Sequence, residues 1–228
     1  MIRRAGAVAI VASGLALSLR AAPAASWRVA LTDANGVTLH GVKATATTHD
    51  GKRALQLIEA STAPAEAFAV VSGPLVKDGR IDVDLAGRPA AGADAGARGF
   101  VGVAFRMTAD RAAFECLYLR PTNGRADDQL RRNHSTQYIS FPDYPWERLR
   151  RETPGVYESY VDLAPSEWTH VRIDVRDRRA ALYVNQAPQP VLIVNDLKLA
   201  PAAGAVALWI GPGTEAWFRD LVVTSAGP

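Results

Sequence analysis

The feature that most constrains this 228-residue chain is an alternation of period two, repeated along it and punctuated by turns. It is clearest from Trp168 to Asn185. Val171, Ile173 and Val175 alternate with Arg172, Asp174 and Arg176. Asp177-Arg178-Arg179 then turns the chain, and Ala180 to Asn185 returns as a hairpin partner. Successive strand side chains point to opposite faces, so such a run buries one face and wets the other. Arg80–Leu85 repeats the pattern, with Ile81, Val83 and Leu85 facing in and Asp82 and Asp84 facing out. Ala54–Glu59, Phe68–Val71, Pro190–Val194, Ala205–Ile210 and Ala216–Thr224 read as further short strands. Gly73-Pro74 and Gly211-Pro212-Gly213 supply breaks. No stretch carries an amphipathic helix with start and stop signals. Many short strands separated by turns predict an all-β sandwich or barrel. Pairing the last strand with the N-terminal ones would suit an antiparallel jelly roll. At 48% hydrophobic residues the chain can bury a substantial core, and ~200–250 residues suit one such domain.

Two neighbouring strands carry more than packing. In Phe100–Met107, Val101, Val103, Phe105 and Met107 share one face. Phe100, Gly102, Ala104 and Arg106 share the other, a face of small residues kept low so that something can lie against it. In Ala112–Arg120, Phe114, Cys116, Tyr118 and Arg120 share one face, and Glu115, Leu117 and Leu119 the other. From Arg120 to Tyr160 run 41 residues without sustained period. Loops that long in compact domains usually have a function. From Pro121 to Tyr160 this one holds six of the chain's 17 aromatic residues, with six arginines against six acids. Flexible linkers are poor in aromatics. The segment is therefore expected to be an ordered elaboration and the recognition site, with Pro142, Pro145 and Pro154 restricting its unfolded state.

The N-terminus has the grammar of a signal peptide: Arg3 and Arg4, an apolar run from Ala5 to Leu19, and small residues before Ser26. The run is short for a membrane span. Residues 1–25 are thus expected to be a leader and 26–228 one exported domain, periplasmic or extracellular. Removing Arg3, Arg4 and Arg20 from 26 basic residues leaves 23, against 23 acidic. A chain so balanced has no general electrostatic reason to seek nucleic acid or anionic membrane. Its single cysteine, Cys116, excludes an intrachain disulfide and reads as a buried strand residue.

The run from Glu167 to Asn185, with Pro190–Val194, Gly204–Ile210, Ala216–Leu221 and the strand Phe114–Pro121, resembles the concanavalin A-like lectin/glucanase superfamily. That group includes laminin-G-like and 3-keto-disaccharide hydrolase domains. The resemblance implies a two-sheet concanavalin A-like sandwich over roughly Trp27 to Thr224, with a ligand groove on the concave sheet. It leaves function open, because this scaffold carries lectins, hydrolases and adhesion modules. Glucanases of this fold carry Glu-x-Asp-x-x-Glu on a strand, and that motif is missing here.

Candidate residues follow from chemistry. Arg106, Tyr118 and Arg120 are expected to converge on the groove if their strands lie in the concave sheet, with Trp209 as a stacking platform between Ala205 and Ala207. Asn123, His134, Gln137, Tyr138, Tyr144 and Trp146 form the polar and aromatic set that sugar sites use. Asp82, Asp84 and Glu115 are the carboxylates available to a hydrolase, which needs two ~5–10 Å apart. Asp127 and Asp128 offer hard oxygen ligands, with calcium the candidate metal and no other cofactor implied. The functional expectation is an exported carbohydrate-binding protein. A sugar-acting hydrolase or lyase and a non-catalytic adhesion or assembly module are the alternatives.

Overall fold

A computed structural model of the chain describes residues 25–60 and 66–226. The expected leader falls, but for Ala25, outside them. Two antiparallel sheets face each other. The eight-stranded sheet runs β13 (Leu192–Val194), β12 (Arg179–Val184), β11 (Thr169–Arg176), β6 (Gly79–Pro89), β15 (Thr214–Ser225), β4 (Lys52–Glu59), β3 (Val42–His49), and β1 (Ser26–Val29) also pairs with β15. The seven-stranded sheet runs β10 (Glu158–Ser159), β9 (Thr136–Phe141), β8 (Phe114–Leu119), β7 (Val101–Met107), β14 (Ala205–Ile210), β5 (Ala67–Val71), β2 (Val37–His40).

The β11–β12 hairpin closes on the pair Arg176–Arg179, leaving the two-residue turn Asp177-Arg178. Asp177 takes a left-handed φ of 49° there, a conformation that aspartate tolerates. Val171, Ile173 and Val175 are buried on one face of β11. Full burial of such a side chain contributes roughly 1.5–3 kcal/mol, which fixes the register, since a one-residue slip would expose all three. Opposite them, Val101, Val103, Phe105, Leu117, Leu119 and Leu208 complete one core shared by both sheets. A Cβ built on Gly87 of β6 would meet Val101 Cγ1 of β7 at 2.8 Å, so the sheets touch there.

The segment 120–160 is more regular than its sequence indicates. It holds a short 3-10 turn (Pro121–Asn123), helix α1 (Gln129–Arg132), the whole of β9, helix α2 (Trp146–Glu152) and β10. β9 is a full member of the seven-stranded sheet, paired with β8 from Phe114–Phe141 to Leu119–Thr136. Its polar residues Thr136, Gln137 and Ser140 are buried, which reads locally as loop composition. Partners distant in sequence satisfy Gln137 and Thr136, namely Arg120 and Ser159. Among the described residues no helix is long and apolar enough to cross a membrane.

Candidate functional site

Register determines what shares a face. Tyr118 of β8 pairs with Gly102 of β7, and Gly102 with Trp209 of β14. These three therefore point to the outer face of the seven-stranded sheet, away from Val101 and Leu117. Gly102 is required: a Cβ there would lie 2.3 Å from Leu117 O and 2.5 Å from Tyr118 Cβ. The ring centroids of Tyr118 and Trp209 lie 4.8 Å apart, and Phe100 stands edge-on to Tyr118 at 6.1 Å. Phe100 is aimed by Gly99, whose φ of 70° brings its backbone against that of Arg88.

Pro145 and Trp146, at the start of α2, form the facing wall. A cavity of about 240 Å³ lies between, lined by Phe100, Tyr118, Ile139, Trp146, Trp209 and three acids, Glu59, Glu66 and Glu147. Trp209 Nε1–H donates to Glu66 Oε2 at 2.7 Å. Burial pushes the Glu66 carboxyl up, and this hydrogen bond offsets part of the rise. A second cavity of about 510 Å³ adjoins through Phe100 and Trp146, lined by Arg98, Arg120, Arg131, Arg150 and His134. It is within the ~300–1,000 Å³ typical of small-molecule sites. Together the cavities make one groove with an aromatic, acid-rimmed half and a basic half.

A buried ion cluster holds the wall in place. Arg120 Nη1 donates to Glu158 Oε1 at 2.9 Å, and its Nη2 donates to Tyr118 Oη at 3.0 Å and Gln137 Oε1 at 2.9 Å. Arg150 of α2 also donates to both Glu158 oxygens, with Nε at 3.0 Å from Oε2. Burial opposes ionisation of Glu158, but the hydrogen bonds from Arg150 and Arg120 outweigh it and hold its carboxyl below the usual range. The Trp146 ring has the Arg150 guanidinium 4.6 Å from its centroid and that of Arg120 at 5.6 Å. Such contacts contribute ~0.5–2 kcal/mol each. Sheet and helix are thus joined through one carboxylate and one indole.

Tyr118, Arg120, Trp146, Trp209, Asn123 and His134 line the groove. Gln137 lies beneath it, fully buried and committed to Arg120 and to the carbonyls of Tyr138 and Tyr157. The structure moves other expected members elsewhere. Arg106 has φ 51°, where the β7–β14 register shifts. The bulge turns its side chain out of the strand's alternation. Its Nε donates to Lys77 O at 2.8 Å and its Nη2 to Asp78 Oδ1 at 2.9 Å and Asp177 O at 2.6 Å. It ties β7 to the turns of the other sheet and takes no part in the groove. Tyr138 faces the sandwich interior, where its hydroxyl donates to Glu115 Oε2 at 2.7 Å. Tyr144 lines neither cavity and packs under Arg148 and Lys198.

The expected carboxylates do not meet there either. Glu115 is fully buried on the core face and accepts from Leu199 N–H at 2.8 Å, anchoring the segment between β13 and β14. Burial pushes its carboxyl up, against bonds from Tyr138 and Leu199. Asp82 and Asp84 lie on the outer face of the opposite sheet, in a depression of about 840 Å³. His170 sits between them, with Nδ1 2.8 Å from Asp84 and Nε2 3.6 Å from Asp82. The whole sandwich separates them from Trp146 and Tyr118, so they cannot act on a ligand held there. Asp128 spends its side chain on capping α1 through Arg131 N–H at 3.0 Å, and Asp127 stands exposed beside it. Among the described residues no group of three metal-ligating acids, histidines or cysteines forms.

Sequence reading missed Phe100, Arg98, Arg131, Arg150, Glu66 and Glu147. One local signal existed for the first two: an arginine and a phenylalanine flanking Gly99 at the end of an otherwise small-residue loop.

Solved structures similar to this chain include the carbohydrate-binding module CBM66 from Bacillus subtilis, at 14% identity over 82% of this chain and 93% of that one, with a TM-score of 0.55. A prokaryotic beta-1,3-1,4-glucanase (lichenase) derived from a mouse hindgut metagenome shares 13% identity over 88% and 99%, with a TM-score of 0.51. The Crh5 transglycosylase in its apo form shares 9% over 92% and 90%, with a TM-score of 0.55. No protein-family model matches the sequence, and no curated protein matches it. Identities this low speak to architecture alone, and the architecture is clear: this chain has the concanavalin A-like jelly-roll fold.

Proposed function

We propose that the protein is exported and binds a glycan in the groove between Trp146 and the outer face of the seven-stranded sheet. The observation that carries this reading is the pairing of an accessible indole with fixed polar groups. Trp146 is 38% exposed, yet its ring is held by Arg120 and Arg150. Sugar rings present apolar faces that stack on such a surface and hydroxyls that need rigid partners. The likeness to a carbohydrate-binding module supports the same reading. The test is a glycan array probed with protein expressed with its own N-terminus and collected from the exported fraction, beside Trp146→Ala. Binding should weaken about tenfold or more in the variant, since stacking contributes ~0.5–1.5 kcal/mol beyond the area buried. Absence of any glycan ligand, or equal binding by the variant, refutes the reading. Retention of the chain inside the cell refutes export.

One observation favours a hydrolase instead. Glu66, its carboxyl raised by burial, shares the aromatic cavity with Glu147. Two carboxyl groups facing one cavity are the equipment of glycoside hydrolysis. Release of monosaccharide from plain or 3-keto disaccharides, lost in Glu66→Gln, would establish it. Turnover unchanged in that variant would remove it.

A further inference from the structure

We propose that the basic half of the groove binds the carboxylate of an acidic saccharide, so that the ligand is a uronic-acid-containing glycan. This rests on the groove being a glycan site and specifies its ligand. Four guanidinium groups and His134 line the basic cavity, with Asp128 as its lining carboxylate. Two of the four, Arg120 and Arg150, are matched to Glu158. The other two are not matched. Arg98 Nη1 donates to the carbonyls of Ala95 at 2.6 Å and Ala97 at 3.0 Å. Arg131 Nε donates to Asn123 Oδ1 at 2.9 Å and its Nη2 to Thr122 Oγ1 at 3.1 Å. All these acceptors are neutral. Among the described residues neither arginine has a carboxylate partner, and Asp128 is committed to the cap of α1.

The two face each other's charge. Burial lowers the pKa of Arg98, and the positive charges of Arg131 and Arg120 lower it further. An anion between them would relieve that repulsion. Guanidinium forks match a planar carboxylate with two parallel N–H···O bonds. The same cavity is walled by Phe100 and Trp146, so the anion would arrive attached to something with an apolar face. A uronic acid has both parts: a carboxylate on a ring that stacks.

The experiment is an array of galacturonate, glucuronate and mannuronate oligosaccharides, each printed beside its methyl ester, with neutral and sulfated oligosaccharides as further arms. Calorimetry then measures the best acid and its ester. At least one acid should bind about tenfold or more tightly than its ester, as expected for charge-assisted hydrogen bonds. That ratio should shrink as salt rises from about 50 to about 500 mM, because the site is open to solvent. In Arg98→Gln/Arg131→Gln the ratio should fall to near one. In Arg98→Lys/Arg131→Lys part of it should remain, since charge persists without the fork. An unfolding midpoint for each variant separates lost recognition from lost fold. Acid and ester binding alike, or a ratio that survives the Gln substitutions, overturns the inference. A sulfated oligosaccharide preferred over every uronate overturns the carboxylate assignment. Neutral glycans binding while acids do not sinks this inference alone; no glycan binding at all sinks the groove reading with it.

Discussion

Replacing Glu158 by glutamine tests the cluster that holds the groove together. The side chain of Glu158 is 2% exposed and that of Arg120 5%. Taking one charge from a buried pair strands the other, which costs ~3–5 kcal/mol. The Arg150 side chain is 33% exposed and can turn to water, so the lower end of that range, about 3 kcal/mol, is expected. Total stability of a domain is ~5–15 kcal/mol. In a chain of this size each kcal/mol moves the melting midpoint ~2–4 °C, so the variant should melt about 6–12 °C lower. Urea unfolding at pH 7, followed by tryptophan fluorescence, measures the free energy directly. The pH profile adds a sign. A carboxyl held low in the fold contributes stability that is full above its unfolded value of about 4.5 and is lost as pH falls through the folded one. The parent should lose stability steeply on that acid side, and Glu158→Gln should lose much less there. Adding Arg120→Met should cost less than the two single changes together, because the stranded charge goes with it. An unfolding free energy within ~0.5 kcal/mol of the parent, with the same acid limb, would show that the cluster does not hold the wall.

Gly102→Ala should destabilise by ~1–3 kcal/mol in the same urea assay, as overpacking does, since its Cβ would meet Leu117 O and Tyr118; parental stability would show that β8 can yield there. For Glu115→Gln the prediction is one of slope. A carboxyl raised by burial contributes stability that is full below its unfolded value and lost as pH rises through the folded one. Parent stability should therefore fall relative to the variant from acid to neutral pH, with glycan binding the same in both, and parallel profiles would refute the burial argument.

How much was legible follows from where each constraint lies. The β11–β12 hairpin could be read because its alternation is local and its inward residues are all aliphatic. Tyr118 and Trp209 could be read because small neighbours mark the face they share. Parity also put Glu115 with Leu117 and Leu119, on the side that proved to be the core. Arg106 could not be read. One extra residue at a bulge reverses facing, and nothing in the sequence nearby announces it. β9 was hidden for a different reason. Its buried Gln137 and Thr136 look like loop residues until Arg120, Tyr157 and Ser159 are in place around them. Arg98 and Arg131 lie 33 positions apart in sequence, and only the docking of the Gly99 loop against the 3-10 turn, Thr122 N–H to Arg98 O at 3.3 Å, brings them to one cavity.

The pairing of β1 with β15 has a consequence for display. Ser26 lies opposite Thr224 at one end of that ladder, so the first strand starts and the last strand ends side by side on the eight-stranded sheet. The groove opens on the far side of the sandwich, a full sheet-to-sheet spacing of ~10 Å beyond. Any tether or neighbouring module joined to β1 or β15 is therefore attached to the eight-stranded sheet and not to the sheet that carries the groove. Held to a surface by its first or last strand, the domain would keep the groove beside Trp146 on the sheet that bears no attachment.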